Sequence, residues 1–191
     1  MRDDVFISYR KSDAPADARL IADRINRRFG AGTAFFDNQS IELGTDFRRK
    51  LWRSLAGCRA VVAVVGPDWA GHLEDGSRRI DRKDDFVRME IEFSLRERLR
   101  VIPVLVRNAA KPDAATLPKS LRAFADRQYL TVNDRSADRD LKFLLDQLSE
   151  LGPAAGEAKP AFPQHGGVQI NGGRIRGDVF GGSKTVINRG R

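Results

Sequence analysis

The sequence predicts an α/β fold, a doubly wound parallel sheet of five strands in the order 2-1-3-4-5 with helices on both faces. Three observations point to it. Short apolar runs rich in β-branched residues recur five times along the first 151 residues. Between them, apolar residues fall at helical spacing. The out-of-place polar residues, Ser8-Tyr9-Arg10, Asp37 and Asp68, stand directly after the first three runs. In a parallel sheet those are the carboxyl ends of the strands, where ligands bind.

Val5-Phe6-Ile7-Ser8 suits a strand buried on both faces. Asp13 can cap the following helix, Pro15 is tolerated in its first turn, and Ala18, Ile21, Ile25 and Phe29 form an inward stripe before Gly30. Thr33–Phe36 makes a second strand ending in Asp37. A polar loop through Gly44 leads to a helix with Phe47, Leu51 and Leu55 on one face. Ala60–Val65 is a wholly apolar strand stopped by Gly66-Pro67. A helix starting near Asp85 carries Val87, Ile91 and Leu95 inward. Val101–Val106 is the fourth strand, although Pro103 has no N–H to give to a ladder. A short helix around Lys119–Phe124 precedes the strand Gln128–Val132, and Leu141, Leu144, Leu145, Leu148 and Leu151 mark the last helix.

Composition changes after Leu151. The last 40 residues hold 10 of the 17 glycines. The expected division is a domain at 1–151, a flexible linker at 152–167, and a glycine-rich tail of short β segments at 168–191. Asn171-Gly172-Gly173 and Gly181-Gly182-Ser183 separate the tail's segments as hairpin turns would. So small a meander cannot bury a core, because isolated hairpins are marginal in water.

The net charge is +8. Residues 1–151 carry 28 Lys+Arg against 24 Asp+Glu, and the charges alternate in sign, as in Arg78-Arg79-Ile80-Asp81-Arg82-Lys83-Asp84-Asp85. Such a pattern reads as a solvated surface, and no basic stripe with interleaved aromatics argues for nucleic acid. No apolar run approaches the roughly 18 residues that span a bilayer. Strand-like sequence from Val5 leaves no room for a signal peptide. Cys58 is the single cysteine, so no internal disulfide forms, and His72 and His165 lack partners at metal-ligand spacing. The expected setting is the cytoplasm, with no metal and no membrane.

Four segments in order resemble the boxes of the TIR (Toll/interleukin-receptor) family, over about residues 3–150. Asp4-Val5-Phe6-Ile7-Ser8-Tyr9-Arg10 resembles the opening box. Phe35-Phe36-Asp37 with Ile41-Glu42-Leu43-Gly44 is similar to the second box and its self-association loop. Cys58–Trp69 resembles the third strand and its outlet. Phe86-Val87-Arg88-Met89-Glu90-Ile91 is similar to the helix that bears the catalytic glutamate of NAD⁺-consuming members. The stretch His72–Asp85 lies outside all four. The fold implied is flavodoxin-like.

The resemblance further implies an NAD⁺ glycohydrolase acting in signalling or antiviral defence, with NAD⁺ as substrate and no cofactor. Glu90 is then the catalytic carboxylate. Tyr9, Arg10 and Lys11 line the substrate pocket with Asp37 and Phe47 nearby, and Phe86 lies beside the nicotinamide. Self-association through the domain, and a protein partner for the tail, complete the expected interactions. The alternative is a non-catalytic scaffold that signals by homotypic contact.

One carboxylate suffices for this chemistry. Most glycosidases need two, because the leaving oxygen must be protonated while the sugar is attacked. Nicotinamide leaves as a neutral molecule from an already cationic nitrogen. The site has only to stabilise the oxocarbenium ion at C1′ and hold the ribose hydroxyls. An arginine such as Arg10 can grip the pyrophosphate with planar paired donors. Each residue also has a plainer reading. A glutamate on a surface helix is ordinarily solvated, yet Glu90 has Phe86, Val87, Phe93 and Ser94 as helical neighbours, whereas Glu92 has Arg88 and Arg96. Arg10 and Lys11 can be loop charges, Asp37 a loop brace, and Trp69 and Phe86 packing aromatics.

Overall fold

The computed structural model describes residues 5–36 and 47–151, together with the backbone at 170–171 and 174–175; at 47–50 it describes the helical backbone only. Asp37, the expected self-association loop 38–46 and the expected linker 152–167 lie outside the described residues, as does the Phe47 side chain. The chain divides into two units, Met1–Glu157 and Ala158–Arg191.

In the first unit five parallel strands, β1 (Val5–Tyr9), β2 (Ala34–Phe35), β3 (Ala60–Val65), β4 (Arg100–Val106) and β5 (Leu130–Val132), stand in the order β2-β1-β3-β4-β5. The central pairing is continuous, from Val5↔Ala60 to Tyr9↔Val64 and from Ala60↔Arg100 to Val65↔Leu105. β5 joins β4 only from Val104 onward. Pro103 therefore sits where β4 has a strand on one side only, which is how a central strand accommodates a residue with no N–H to donate.

Successive strand residues face opposite ways, and this divides the core in two. Val5, Ile7, Val62, Val64, Val104 and Val106 pack under α1 (Pro15–Phe29) and α5 (Ala137–Ser149). Phe6, Val61, Ala63, Val65, Val101 and Leu105 pack under α2 (Phe47–Ala56), α3 (Phe86–Arg96) and the short α4 (Arg122–Ala125). β3 is buried along its whole length.

One local expectation differs. Asp13 does not cap α1; the N-cap is Ala14, with no side-chain bond. Asp13 instead accepts from the backbone N–H of Asp68 at 3.1 Å and from Arg107 at 3.0 Å, so its carboxylate ties together the outlets of β1, β3 and β4. Gly66 makes this possible, since a Cβ there would lie 2.3 Å from an Asp13 oxygen. Arg107 and Asn108 are both left-handed, at φ 51° and 55°, as the chain leaves β4. In the second unit, β6 (Ile170–Asn171) pairs antiparallel with β7 (Arg174–Ile175).

Candidate active site

The site begins with the alternation of β1. Phe6, Ser8 and Arg10 follow one another along a single face, the face covered by α3. Phe6 joins the core there. Ser8 donates its hydroxyl to Glu90 Oε2 at 2.6 Å. Arg10 donates Nη1 and Nη2 to the two carboxylate oxygens of Asp85 at 2.9 and 3.0 Å, and Nε to the Trp69 carbonyl at 2.8 Å. Asp85 also accepts the Arg88 N–H and caps α3. Ser8 in β1 and Arg10 just after it thus each meet a carboxylate, one on α3 and one at its cap.

Glu90 is only 4% exposed, a carboxylate at the inner edge of the helix. Its own carbonyl accepts the Ser94 hydroxyl at 2.6 Å. Glu92 points elsewhere and accepts Arg88 Nε at 2.6 Å and the Ser120 hydroxyl. Arg96, expected to flank Glu92, pairs with Glu97 and lies over the Phe93 ring.

A cleft of about 690 Å³ opens at the carboxyl end of β1, lined by Tyr9, Arg10, Lys11, Ser12, Arg79, Arg82, Asp84, Asp85, Phe86, Val87 and Glu90. That volume suits a nucleotide-sized ligand. Five of the residues singled out in the sequence, Tyr9, Arg10, Lys11, Phe86 and Glu90, come together here. Phe86 is 41% exposed, unusually open for its size, while the Tyr9 ring packs edge-on against Phe36 at 5.4 Å. Trp69 belongs to the core: it stacks on Phe124 at 5.2 Å and 22°. A second cavity, of about 550 Å³, lies at the opposite pole beside Arg100–Ile102 and contains no carboxylate.

Arg10 departs from the expectation placed on it. Its paired donors face a buried carboxylate, with side-chain exposures of 6% for Arg10 and 7% for Asp85. They are not presented to the cleft as a fork for phosphate.

Sequence reasoning missed Asp85, Arg79 and Arg82. The latter two lie in and after a 3-10 turn, Arg79–Asp81, whose Ile80 is fully buried. The lone Ile80 among eight residues otherwise all charged was the available signal, since an apolar side chain there anchors a turn. After β3, the His72 backbone N–H and ring hold the Asp68 carboxyl below the ordinary carboxylate range. Among the described residues no His, Cys, Asp and Glu cluster could hold a metal. No helix among them is long and apolar enough to cross a membrane.

No curated protein matches the chain. The TIR domains in the structure of the activated Roq1 resistosome, which directly recognises the pathogen effector XopQ, superpose with a TM-score of 0.57 at 13% identity. The alignment covers 76% of this chain and 98% of that one, a likeness of fold. The family model for the TIR domain matches residues 5–145, from the first residue of β1 into α5. With the five-stranded order and that span in agreement, the chain belongs to the TIR domain family.

Proposed function

We propose that this protein is an NAD⁺ glycohydrolase that works in an assembly-gated signalling or defence role. The observation that carries the reading is the Glu90 carboxylate, 4% exposed, fixed by the Ser8 hydroxyl and set in a cleft of nucleotide size. A buried carboxylate is costly unless something uses or compensates its charge. Here the Ser8 hydroxyl fixes the orientation of the carboxylate, and its negative charge would stabilise a cation developing beside it.

The proposed reaction is heterolysis of the bond between C1′ and the nicotinamide nitrogen. The bonding pair goes to the nitrogen, which becomes neutral, and positive charge moves to C1′ and the ring oxygen of the ribose. Glu90 stabilises that charge and accepts hydrogen bonds from the ribose hydroxyls. Exposed Phe86 offers a face for the nicotinamide ring. Water then adds to C1′ and loses a proton, giving ADP-ribose; attack by a ring nitrogen of the adenine gives a cyclic product instead. Asp37 and the Phe47 side chain, which lie outside the described residues, are proposed to belong to the substrate site on the family resemblance alone.

One observation favours a second reading. The Ser8–Glu90 contact is a satisfied buried pair, and a scaffold that acts only by homotypic contact could keep it for packing alone. The deciding experiment is incubation of the purified full-length chain with NAD⁺ across a range of protein concentrations, with nicotinamide measured. Release by the wild type supports the enzyme. No release at any concentration, crowding agent included, supports the scaffold.

A further inference from the structure

The cleft contains four cations that differ in how they are held. Arg10 is locked. Three of its N–H groups go to Asp85 and to the Trp69 carbonyl, and Gly71 closes over it, so that a Cβ at that position would lie 2.9 Å from the guanidinium carbon. Turning Arg10 toward a phosphate would strip a buried aspartate of its counter-charge and leave the α3 cap unsupported.

Lys11, Arg79 and Arg82 are the opposite case. All three side chains are exposed. Lys11 and Arg79 make no ion pair among the described residues, and Arg82 has a loose surface pair with Asp84, at 3.6 Å, and a weaker attraction to Asp75. Their exposure does not mean that the backbone beneath is loose. Ile80 is fully buried between the two arginines, and its N–H donates to the Ala70 carbonyl at 3.1 Å. The Arg79 N–H donates to Gly71 at 2.9 Å, and the Arg82 N–H to Arg79 at 2.9 Å. A fixed turn thus presents two guanidinium groups to the cleft, with their paired donors still available for anionic oxygens.

We propose that Arg79 and Arg82, together with Lys11, bind the diphosphate of a dinucleotide substrate, and that Arg10 with Asp85 is a positioning pair that never touches it. This rests on the NAD⁺ reading of the cleft. The ligand class is a diphosphate-bridged nucleotide. Specificity for it resides in a segment, His72–Asp85, that lies outside the family's boxes. The Arg10–Asp85 pair acts through α3, holding the helix so that Glu90, five residues after Asp85, stays against Ser8.

Two measurements on the full-length chain test this. The first is calorimetric binding of ADP-ribose, which needs no turnover. The wild type should bind, and Arg79→Ala with Arg82→Ala should weaken binding about tenfold or more while Arg10→Lys leaves it within about twofold. Absence of wild-type binding, or equal binding by the double variant, overturns the assignment. The second is NAD⁺ cleavage. Arg79→Ala/Arg82→Ala should raise KM about tenfold with kcat kept, and Arg10→Lys and Asp85→Asn should each lower kcat with KM kept. Combining the last two should cost no more than either alone, as a coupled pair requires. Additive losses, or a loss in KM alone from Arg10→Lys, overturn the positioning role. Circular dichroism checks folding, and Asp85→Asn serves where Arg10→Lys does not fold. A wild type that binds ADP-ribose through Arg79 and Arg82 but cleaves nothing refutes the glycohydrolase reading and leaves the phosphate site standing.

Discussion

Ser8 shows how much one atom decides at this site. It is 1% exposed, and its hydroxyl donates to Glu90 Oε2 at 2.6 Å. Ser8→Ala removes that donor without adding bulk. A buried carboxylate oxygen then loses a hydrogen bond, a loss that costs about 1–3 kcal/mol. Urea denaturation should show a drop of that size, and NAD⁺ cleavage should fall as Glu90 loses its fixed orientation. Unchanged stability and unchanged turnover together would mean that Ser8 does not hold the carboxylate. The residue scale is also where the sequence was least legible. Glu90 stood out because its helical neighbours are apolar. The partner of Arg10 is 75 residues away, and no local pattern points to it. Asp13 has the residue type and position of a helix cap, but its carboxylate is drawn to Arg107 and the Asp68 amide. Local chemistry names a capable side chain, while tertiary contacts choose its partner.

Elements were legible where burial imposes a period. Ala60–Val65 is a strand with the bounds expected of it, since six apolar residues between a polar segment and Gly66-Pro67 leave little alternative. Edge elements shrank. Thr33–Phe36 became the two residues Ala34–Phe35, and Gln128–Val132 became Leu130–Val132, because each has only one neighbour to pair with. The packing of loops at the strand ends is a property of several elements at once, and Gly66 reports on it. Gly66→Ala would place a methyl carbon 2.3 Å from the Asp13 carboxylate, which is fastened to both Arg107 and Asp68. The expected cost is about 1–3 kcal/mol, as for overpacking in a tight interior. Gly57→Ala is the control. Its new carbon would meet only backbone oxygens at 3.6 Å, an ordinary contact, and its effect should stay within about 0.5 kcal/mol. Chemical denaturation of the pair checks both, and equal effects would show that the Gly66 contact is relieved by an inexpensive shift.

At the scale of the whole molecule, two expectations rest on sequence outside the described residues. The loop Asn38–Asp46 matches the family's self-association loop, so activity per molecule should rise with protein concentration. Gly44→Arg should depress it while leaving the circular dichroism spectrum unchanged. Constant specific activity across a wide concentration range, with a monomer throughout by light scattering, contradicts assembly gating. The glycine-rich tail cannot supply a core, and removal of 152–191 should leave the melting temperature of the TIR domain nearly unchanged while ending any association made through the tail. A large fall in melting temperature would show that the tail packs on the domain.

In the proposed reaction one particular carboxylate stabilises a cation, and α3 contains its own control. Glu90 and Glu92 are two residues apart on one helix, so they project about 200° apart. Glu90 lines the cleft with Ser8 bound to it, while Glu92 is bound to Arg88 and Ser120. Either substitution by glutamine keeps the size and removes the charge. Nicotinamide release from NAD⁺ should be measured for the wild type, Glu90→Gln and Glu92→Gln at matched concentration, with circular dichroism confirming folding. The expected result is a loss of at least about 10² for Glu90→Gln, the usual consequence of removing one electrostatic partner of a transition state. Glu92→Gln should remain within a fewfold of the wild type, its ion pair being worth under about 1 kcal/mol of stability. An active Glu90→Gln beside an inactive Glu92→Gln, or full activity in both, would contradict the account.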